Sequence, residues 1–421
     1  MSNNKIERRT FIKQAAMGAA ALAALPAARV LGANDRVRVG IIGPGARGQE
    51  LVKQLLELAS KNKASVGLVA AADIYTRRRA EVRRLVPNVQ VFNDHRQLLD
   101  TKDIDAVIVA SPLHIHASHF IDALAAGKDL YSEKTMSWSI PEAEQCLAAA
   151  KKSDRVVQIG LQHQSSGSYF DARKWIKDGI VGKVTHVQGW MSRNTPRGQG
   201  QWVRPVPADC NAGNVNWKAF LNGRAERPFD GYKFINWRLF WEFSGGNITE
   251  NMVHQIAYIL GALDLPLPTA ATMAGGVFSE KDGREVPDTI AVSLEFPNET
   301  VVTWQSTFSN SHYGLGEHFL GSDGTIEHVA GATDMVTGKS AETTQYFPEK
   351  MNRANGEVLA SQTPDQNHMG NWIECVRSRK TPNAPVEIGH RSAIAAHMAN
   401  MAYRQKRRVT MEAAKEKAVS S

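Results

Sequence analysis

The sequence predicts an α/β protein whose first half is a doubly wound parallel sheet, and three observations predict it. Short apolar runs at residues 37–43, 66–72, 106–110, 130–132 and 156–160 alternate with helix-length segments such as 46–58. Strand–helix alternation of this kind buries a parallel sheet between helices. The first run ends in Gly43-Pro44-Gly45-Ala46-Arg47-Gly48, a GxGxxG at a strand-to-helix turn. The second run ends in an acidic residue, Asp73.

Ahead of the first run the chain carries an address. It reads Lys5-Ile6-Glu7-Arg8-Arg9-Thr10-Phe11-Ile12-Lys13, then an Ala-rich apolar stretch over 15–25 and a small-residue site at Leu31-Gly32-Ala33. A charged region, a short apolar region and a small-residue site predict a signal peptide over 1–33. The apolar stretch is shorter than the ~20 residues a membrane span needs. Arg8-Arg9 with Lys13 resembles the twin-arginine signal, although Glu7 stands where that signal usually has Ser or Thr. The expectation is export by the twin-arginine machinery to the periplasm or cell envelope.

Composition excludes several classes. The chain has 421 residues, 43% hydrophobic and 22% charged, ordinary values for a globular protein with room for two cores. Half of the formal +8 charge belongs to residues 1–34, where five Lys/Arg face Glu7. The remainder is too small and too evenly spread to recruit nucleic acid. Cys146, Cys210 and Cys375 are far apart and match no metal spacing, so three buried thiols are expected.

The GxGxxG has a physical reading. Gly43 and Gly45 allow a tight turn and close approach of backbone to a pyrophosphate, and Gly48 allows the helix to pack on the turn. The helix N-terminus supplies partial positive charge. Asp73 would accept hydrogen bonds from the adenosine ribose and repel a 2′-phosphate, which favours NAD. Arg77, Arg78 and Arg79 could instead embrace that phosphate, so NADP stays open, but a solvated helix face is the preferred reading of the three.

Two further stretches are more specific. Ser111-Pro112-Leu113-His114-Ile115-His116 comes after the run at 106–110, and Tyr131-Ser132-Glu133-Lys134-Thr135-Met136 spans the end of the run at 130–132. With the GxGxxG, these resemble the Gfo/Idh/MocA oxidoreductases over residues 36 to about 410. The resemblance implies a Rossmann domain followed by an α+β domain with an open, mostly antiparallel sheet whose outer face makes homo-oligomer contacts. Residues 184–191, 288–296 and 300–308 read as strands of that sheet, with an apolar helix around 247–263 and helical patterns at 368–379 and 392–404. The chain then divides into a Rossmann domain over 35–160, a substrate and oligomerisation domain over 161–365, and C-terminal helices over 366–421 that pack back on the body.

The resemblance also implies roles. Lys134 corresponds to the lysine pointing at the substrate hydroxyl, and His254 to the histidine of the second domain's helix; these two are the expected catalytic pair. Glu133 corresponds to the residue beside the nicotinamide ribose and His116 to one lining the nicotinamide pocket. Gly43, Gly45, Arg47, Gly48, Asp73, Ser111, Leu113 and Gln162 complete the expected cofactor set. His163, Arg193, Trp241 (with Trp237 nearby) and Glu250 are the expected substrate contacts. Glu250 stands where the family commonly has Asp, and Thr135 where it usually has Pro. No metal is expected: His114 and His116 alternate at a loop and no acidic cluster accompanies them.

The expected chemistry is oxidation of an alcohol. Oxidising a secondary alcohol requires a base within hydrogen-bond reach of the hydroxyl while hydride leaves the same carbon. A desolvated lysine has its pKa lowered toward that task, and an imidazole is suited to it near neutral pH. Glu250 and His254, four apart, would share a helix face and pair. The expected substrate is a sugar, glycoside or polyol. Two rivals remain: an NAD-dependent glycosidase acting by transient oxidation, whose branch carries Val where this chain has Lys134, and a non-catalytic dinucleotide sensor.

Overall fold

The computed structural model describes residues 36–61, 65–333 and 340–419; the expected export signal lies outside them. Six strands form the first sheet: β1 Val37–Ile42, β2 Val66–Ala72, β3 Gln90–Phe92, β4 Ala106–Val109, β5 Asp129–Ser132 and β6 Val157–Ile159. They are ordered β3-β2-β1-β4-β5-β6, and every neighbouring pair is parallel. Covered on both faces, these strands are apolar almost throughout, as β1 and β4 show. The helix Ala46–Lys61 buries Leu51, Val52, Leu55 and Leu58, one stripe at 3.6-residue spacing. Strand order reverses between β1 and β4, so the carboxyl ends of the strands open a crevice there.

Nine strands form the second sheet. β7 Val184–Ser192, β8 Ala270–Gly276, β9 Thr289–Phe296, β10 Thr300–Thr307, β11 Leu315–Gly321, β12 Gly324–Thr333, β13 Ser340–Pro348, β14 Leu359–Ala360 and β15 Val409–Thr410 lie in the order β14-β13-β12-β11-β7-β10-β9-β8-β15. β7 and β10 pair in parallel; the other pairs are antiparallel. The sequence pattern picks out β7, β9 and β10 and leaves β8 and β11–β15 unassigned.

The C-terminal segment serves both domains and is not purely helical. Helix His368–Ser378 sets Met369, Trp372, Ile373 and Val376 into the core of β1 and the helix Ala46–Lys61. Helix Val386–Gln405 is buried against the larger core shared with the second sheet, and β15 extends that sheet's edge. Trp372 is fully buried, so Trp372→Ala would cost on the order of 3–5 kcal/mol. The three cysteines are free and buried.

Candidate active site

The crevice and the second domain enclose one large cavity of about 1080 Å³. Its first wall is built from the segments at the carboxyl ends of the parallel strands. Gly43 has φ +81°, and a Cβ there would lie 2.7 Å from the Ser111 nitrogen, so only glycine fits this turn. A Cβ on Gly45 would meet nothing within 4 Å, leaving the backbone open on the side from which a phosphate would approach. Gly48 does not line the cavity; a Cβ there would lie 2.5 Å from the Gly43 carbonyl, so this glycine lets the helix close on the turn. Asp73 faces the same cavity and accepts from the Tyr75 backbone N–H at 2.8 Å. Burial raises its pKa to about 6, against the opposing pull of that hydrogen bond and of Arg78 and Arg79. Room, glycine cradle, helix N-terminus and acid together fit a dinucleotide.

Deeper in, Arg47 donates to Glu133 at 2.8 Å and to Glu50 at 3.0 Å. With its amide turned to donate to the Gly160 carbonyl at 3.0 Å, Gln162 accepts from the Arg47 guanidinium. A Cβ on Gly160 would lie 2.9 Å from the Glu133 carboxyl, so glycine there lets that carboxylate pack against β6. The Lys134 ammonium donates to the Glu250 carbonyl at 2.7 Å and lies 3.5 Å from the Glu250 carboxylate. Burial lowers the Lys134 pKa, against the raising effect of Glu250 and Glu133. Burial works to raise the Glu250 pKa, but Lys134 and Arg238 overcome it and hold the carboxyl below its usual range. Arg238 donates to that carboxylate at 2.9 Å.

Glu250 sits in a single π-helical turn, Ile248–Met252, that leads into the helix Val253–Ala262. Lys134 and Thr135 reach successive carbonyls of this turn, the Thr135 hydroxyl donating to Thr249 at 2.6 Å. A proline at 135 has no donor for that bond. The π turn also separates Glu250 from His254: with i→i+5 bonding, residues four apart no longer stack on one face. The expected Glu250–His254 pair is therefore replaced by Glu250 with Lys134 and Arg238. His254 has a buried Nδ1 with no partner among the described residues, and its ring lies 5.8 Å from that of His163. Its pKa is driven well down, by burial first and then by the charges of Lys134, His163, Arg47 and Arg193.

Four further expectations need adjustment. Leu113 is 1% exposed and lies in the core; its neighbours Pro112 and Ile115 line the cavity instead. Trp241 packs outside the cavity against Tyr403, beneath Arg404, while Trp237 lines it, with the Arg238 guanidinium over its ring at 4.2 Å. His116 lines the cavity, but its ring nitrogens are turned to the Thr135 carbonyl at 2.7 Å and the Ser111 carbonyl at 2.5 Å, so it braces the loops after β4 and β5. Arg77, on the solvated face as expected, pairs with Asp209, whereas Arg78 lines the cavity and pairs with Glu81, and Arg79 donates to the Asp73 carbonyl. Ser111, His163 and Arg193 line the cavity as expected residues. Arg238, Arg204 and Trp202 also line it and were missed, because they lie on irregular segments with no periodicity to mark them.

Comparison with known proteins decides the kinship. Residues 37–161 match the GFO_IDH_MocA oxidoreductase family, NAD-binding Rossmann fold, and residues 222–411 match that family's C-terminal alpha/beta domain. The chain belongs to the Gfo/Idh/MocA oxidoreductases. Its first domain is thus the family's NAD-binding domain. Among members, inositol 2-dehydrogenase of Gluconacetobacter diazotrophicus is 28% identical over 158 residues, 37% of this chain and 45% of that protein. The scyllo-inositol 2-dehydrogenase (NADP(+)) of Bacillus subtilis is 26% identical over 168 residues, 40% of this chain and 45% of that one. The chain spans about half the length of these curated relatives. In fold it is similar to the aldose–aldose oxidoreductase of Caulobacter crescentus, with TM-score 0.64 and 18% identity over 89% of this chain and all of that one.

Proposed function

We propose that this Gfo/Idh/MocA protein is an exported dehydrogenase that oxidises a secondary alcohol of a sugar, glycoside or polyol with NAD. The observation carrying this reading is the desolvated Lys134 amine, fixed on the π turn beside His254, in the same cavity as the Gly43–Gly45 cradle and Asp73. A bound nicotinamide would supply the hydride acceptor. Lys134, its pKa lowered by burial, takes the hydroxyl proton. Glu250 limits that lowering and holds the amine in place, and the His254 imidazole, which lines the same cavity, bonds a substrate oxygen. Arg47, Glu133 and Gln162 form a chain of contacts that orients the floor between cradle and lysine. Asp73 selects NAD by accepting from ribose hydroxyls, and the pairing of Arg77 with Asp209 keeps that arginine from a 2′-phosphate. The inositol dehydrogenases among the relatives support a polyol substrate.

The test is to follow the reduced-nicotinamide absorbance band of the NAD-loaded protein with a panel of sugars and polyols, and to identify the product. A keto-sugar with any glycosidic bond intact is the expected result. Two free sugars with no net reduced cofactor would replace the dehydrogenase by the glycosidase. Export rests on Arg8-Arg9 and the apolar stretch after them; changing both arginines to lysine should strand full-length precursor in the cytoplasm. Copies are expected to meet through the outer face of the second sheet, which light scattering and cross-linking from that face would check.

A further inference from the structure

The lysines and arginines around the cavity are paired with one informative exception. Among the described residues, all those lining it have a carboxylate within 4 Å except Arg193 and Arg204. The two differ in place. Arg204 is exposed, and the charges around it are Arg238 of the second wall and Arg78 and Glu50 of the dinucleotide wall. Arg193 is half-buried, extends directly from β7, and is pinned by its backbone N–H to the Thr307 carbonyl at 2.9 Å. It lines the cavity with Met191, Leu315 and Gln255 of the second domain. Its charge is close enough to His254 to depress that imidazole, and burial lowers its own pKa with no acidic neighbour to restore it.

A desolvated guanidinium without a counter-ion is costly. Glu250, the buried carboxylate of the second-domain wall, is taken by Lys134 and Arg238. The pyrophosphate cradle at Gly43–Gly45 belongs to the other wall. We infer that the substrate itself brings the missing charge: it is a sugar acid or polyol acid whose carboxylate docks on Arg193 while the carbinol carbon sits at Lys134 and His254. A planar guanidinium fork matches a carboxylate with two parallel hydrogen bonds. A dianionic phosphate would call for further free donors, and the neighbouring cations are committed. The inference rests on the dehydrogenase reading of the site.

Kinetics of the NAD-loaded protein on matched pairs, D-glucose with D-glucuronate and D-galactose with D-galacturonate, tests it. Wild type should prefer the uronate in kcat/KM by roughly a hundredfold, the scale of lost charge-assisted hydrogen bonds. Arg193→Met should abolish most of that preference, lowering kcat/KM for the uronate far more than for the neutral sugar. Arg193→Lys should restore part of it, and unaltered NAD binding would certify that both variants fold. A preference for the neutral sugar, or equal losses on both, overturns the inference; so does a stronger Arg193-dependent preference for galactose 6-sulfate or galactose 6-phosphate. If NAD binds but no sugar reduces it, the dehydrogenase reading falls. Calorimetric binding of D-glucuronate and D-galacturonate then decides the charge question separately. Binding at least tenfold weaker in Arg193→Met supports it, whereas equal or absent binding in both proteins overturns it.

Discussion

The two walls of the cavity are made in different ways. On the first-domain wall, each group stands just past the end of a parallel strand: Gly43 after β1, Asp73 after β2, Ser111 after β4, Lys134 after β5 and Gln162 after β6. On the other wall, Arg193 leaves the end of β7, Arg238 comes from a single 3₁₀ turn, and Glu250 and His254 come from a π turn and the helix after it. A doubly wound sheet turns position in the chain into position in the site. The second wall has no such rule: Arg193 is set by the end of β7, whereas Glu250 and Arg238 are placed by the bonds they make to each other and to Lys134. One wall is fixed by backbone, the other in part by charge.

The largest effect should come where the walls meet. Lys134→Met keeps much of the apolar stem and removes the amine, so turnover should fall by roughly a hundredfold or more with NAD binding retained. Single-turnover kinetics beside NAD titration measures both. A kcat unchanged from wild type would move the proton acceptor to His254 and shift the chemistry onto the second wall.

Asp73 isolates the first wall. Asp73→Asn keeps an acceptor for the Tyr75 N–H but removes the charge, and should weaken NAD binding by about 1.5–3 kcal/mol. Stability should move the other way. Asp73 titrates near 6 in the fold, above the ordinary 3.8. The folded state therefore favours the protonated form, and the stability this gives is present at low pH and lost as pH rises through about 6. Asp73→Asn should accordingly be more stable than wild type at pH 8, by about 1–3 kcal/mol, and gain little at pH 4. Denaturant curves at the two pH values check this, and a variant less stable at pH 8 would mean that a charged Asp73 helps to hold the fold.

The seam is tested by Thr135→Val, which leaves the Thr249 carbonyl without its hydroxyl donor. The expected cost is about 1–3 kcal/mol of stability, with a smaller loss of kcat than in Lys134→Met. A fall in kcat as large as the lysine variant's would show that alignment of the π turn limits the reaction. The smallest effect belongs to Trp241→Phe. This residue packs on Tyr403 away from the cavity, so KM and kcat should stay within about twofold. A tenfold rise in KM would return Trp241 to the substrate wall and redraw the boundary between the two.

Legibility divided along the same line. The GxGxxG, Asp73, and the Glu133-Lys134 pair could be read because local order in the chain carries them to the crevice. Leu113 shows where that legibility stopped: the chain turns into a short 3₁₀ segment after Pro112, and its side chain goes to the core. Trp241 shows it again, because an aromatic in an irregular stretch gives no sign of which way it faces. The Glu250–His254 pairing failed for a sharper reason. Helical spacing assumes i→i+4 bonding, and the turn at Ile248–Met252 is π-helical.

By itself, the sequence determined the doubly wound sheet, its dinucleotide turn and the lysine at the end of β5, since hydrophobic period and strand-end position are local properties. Tertiary structure alone decided which carboxylate serves which cation. Arg47 took Glu133, Lys134 and Arg238 shared Glu250, and Arg193 was left without a carboxylate among the described residues. These partners lie from 12 to 116 residues apart, and ion pairing is a contest for nearby opposite charge that only the folded geometry resolves.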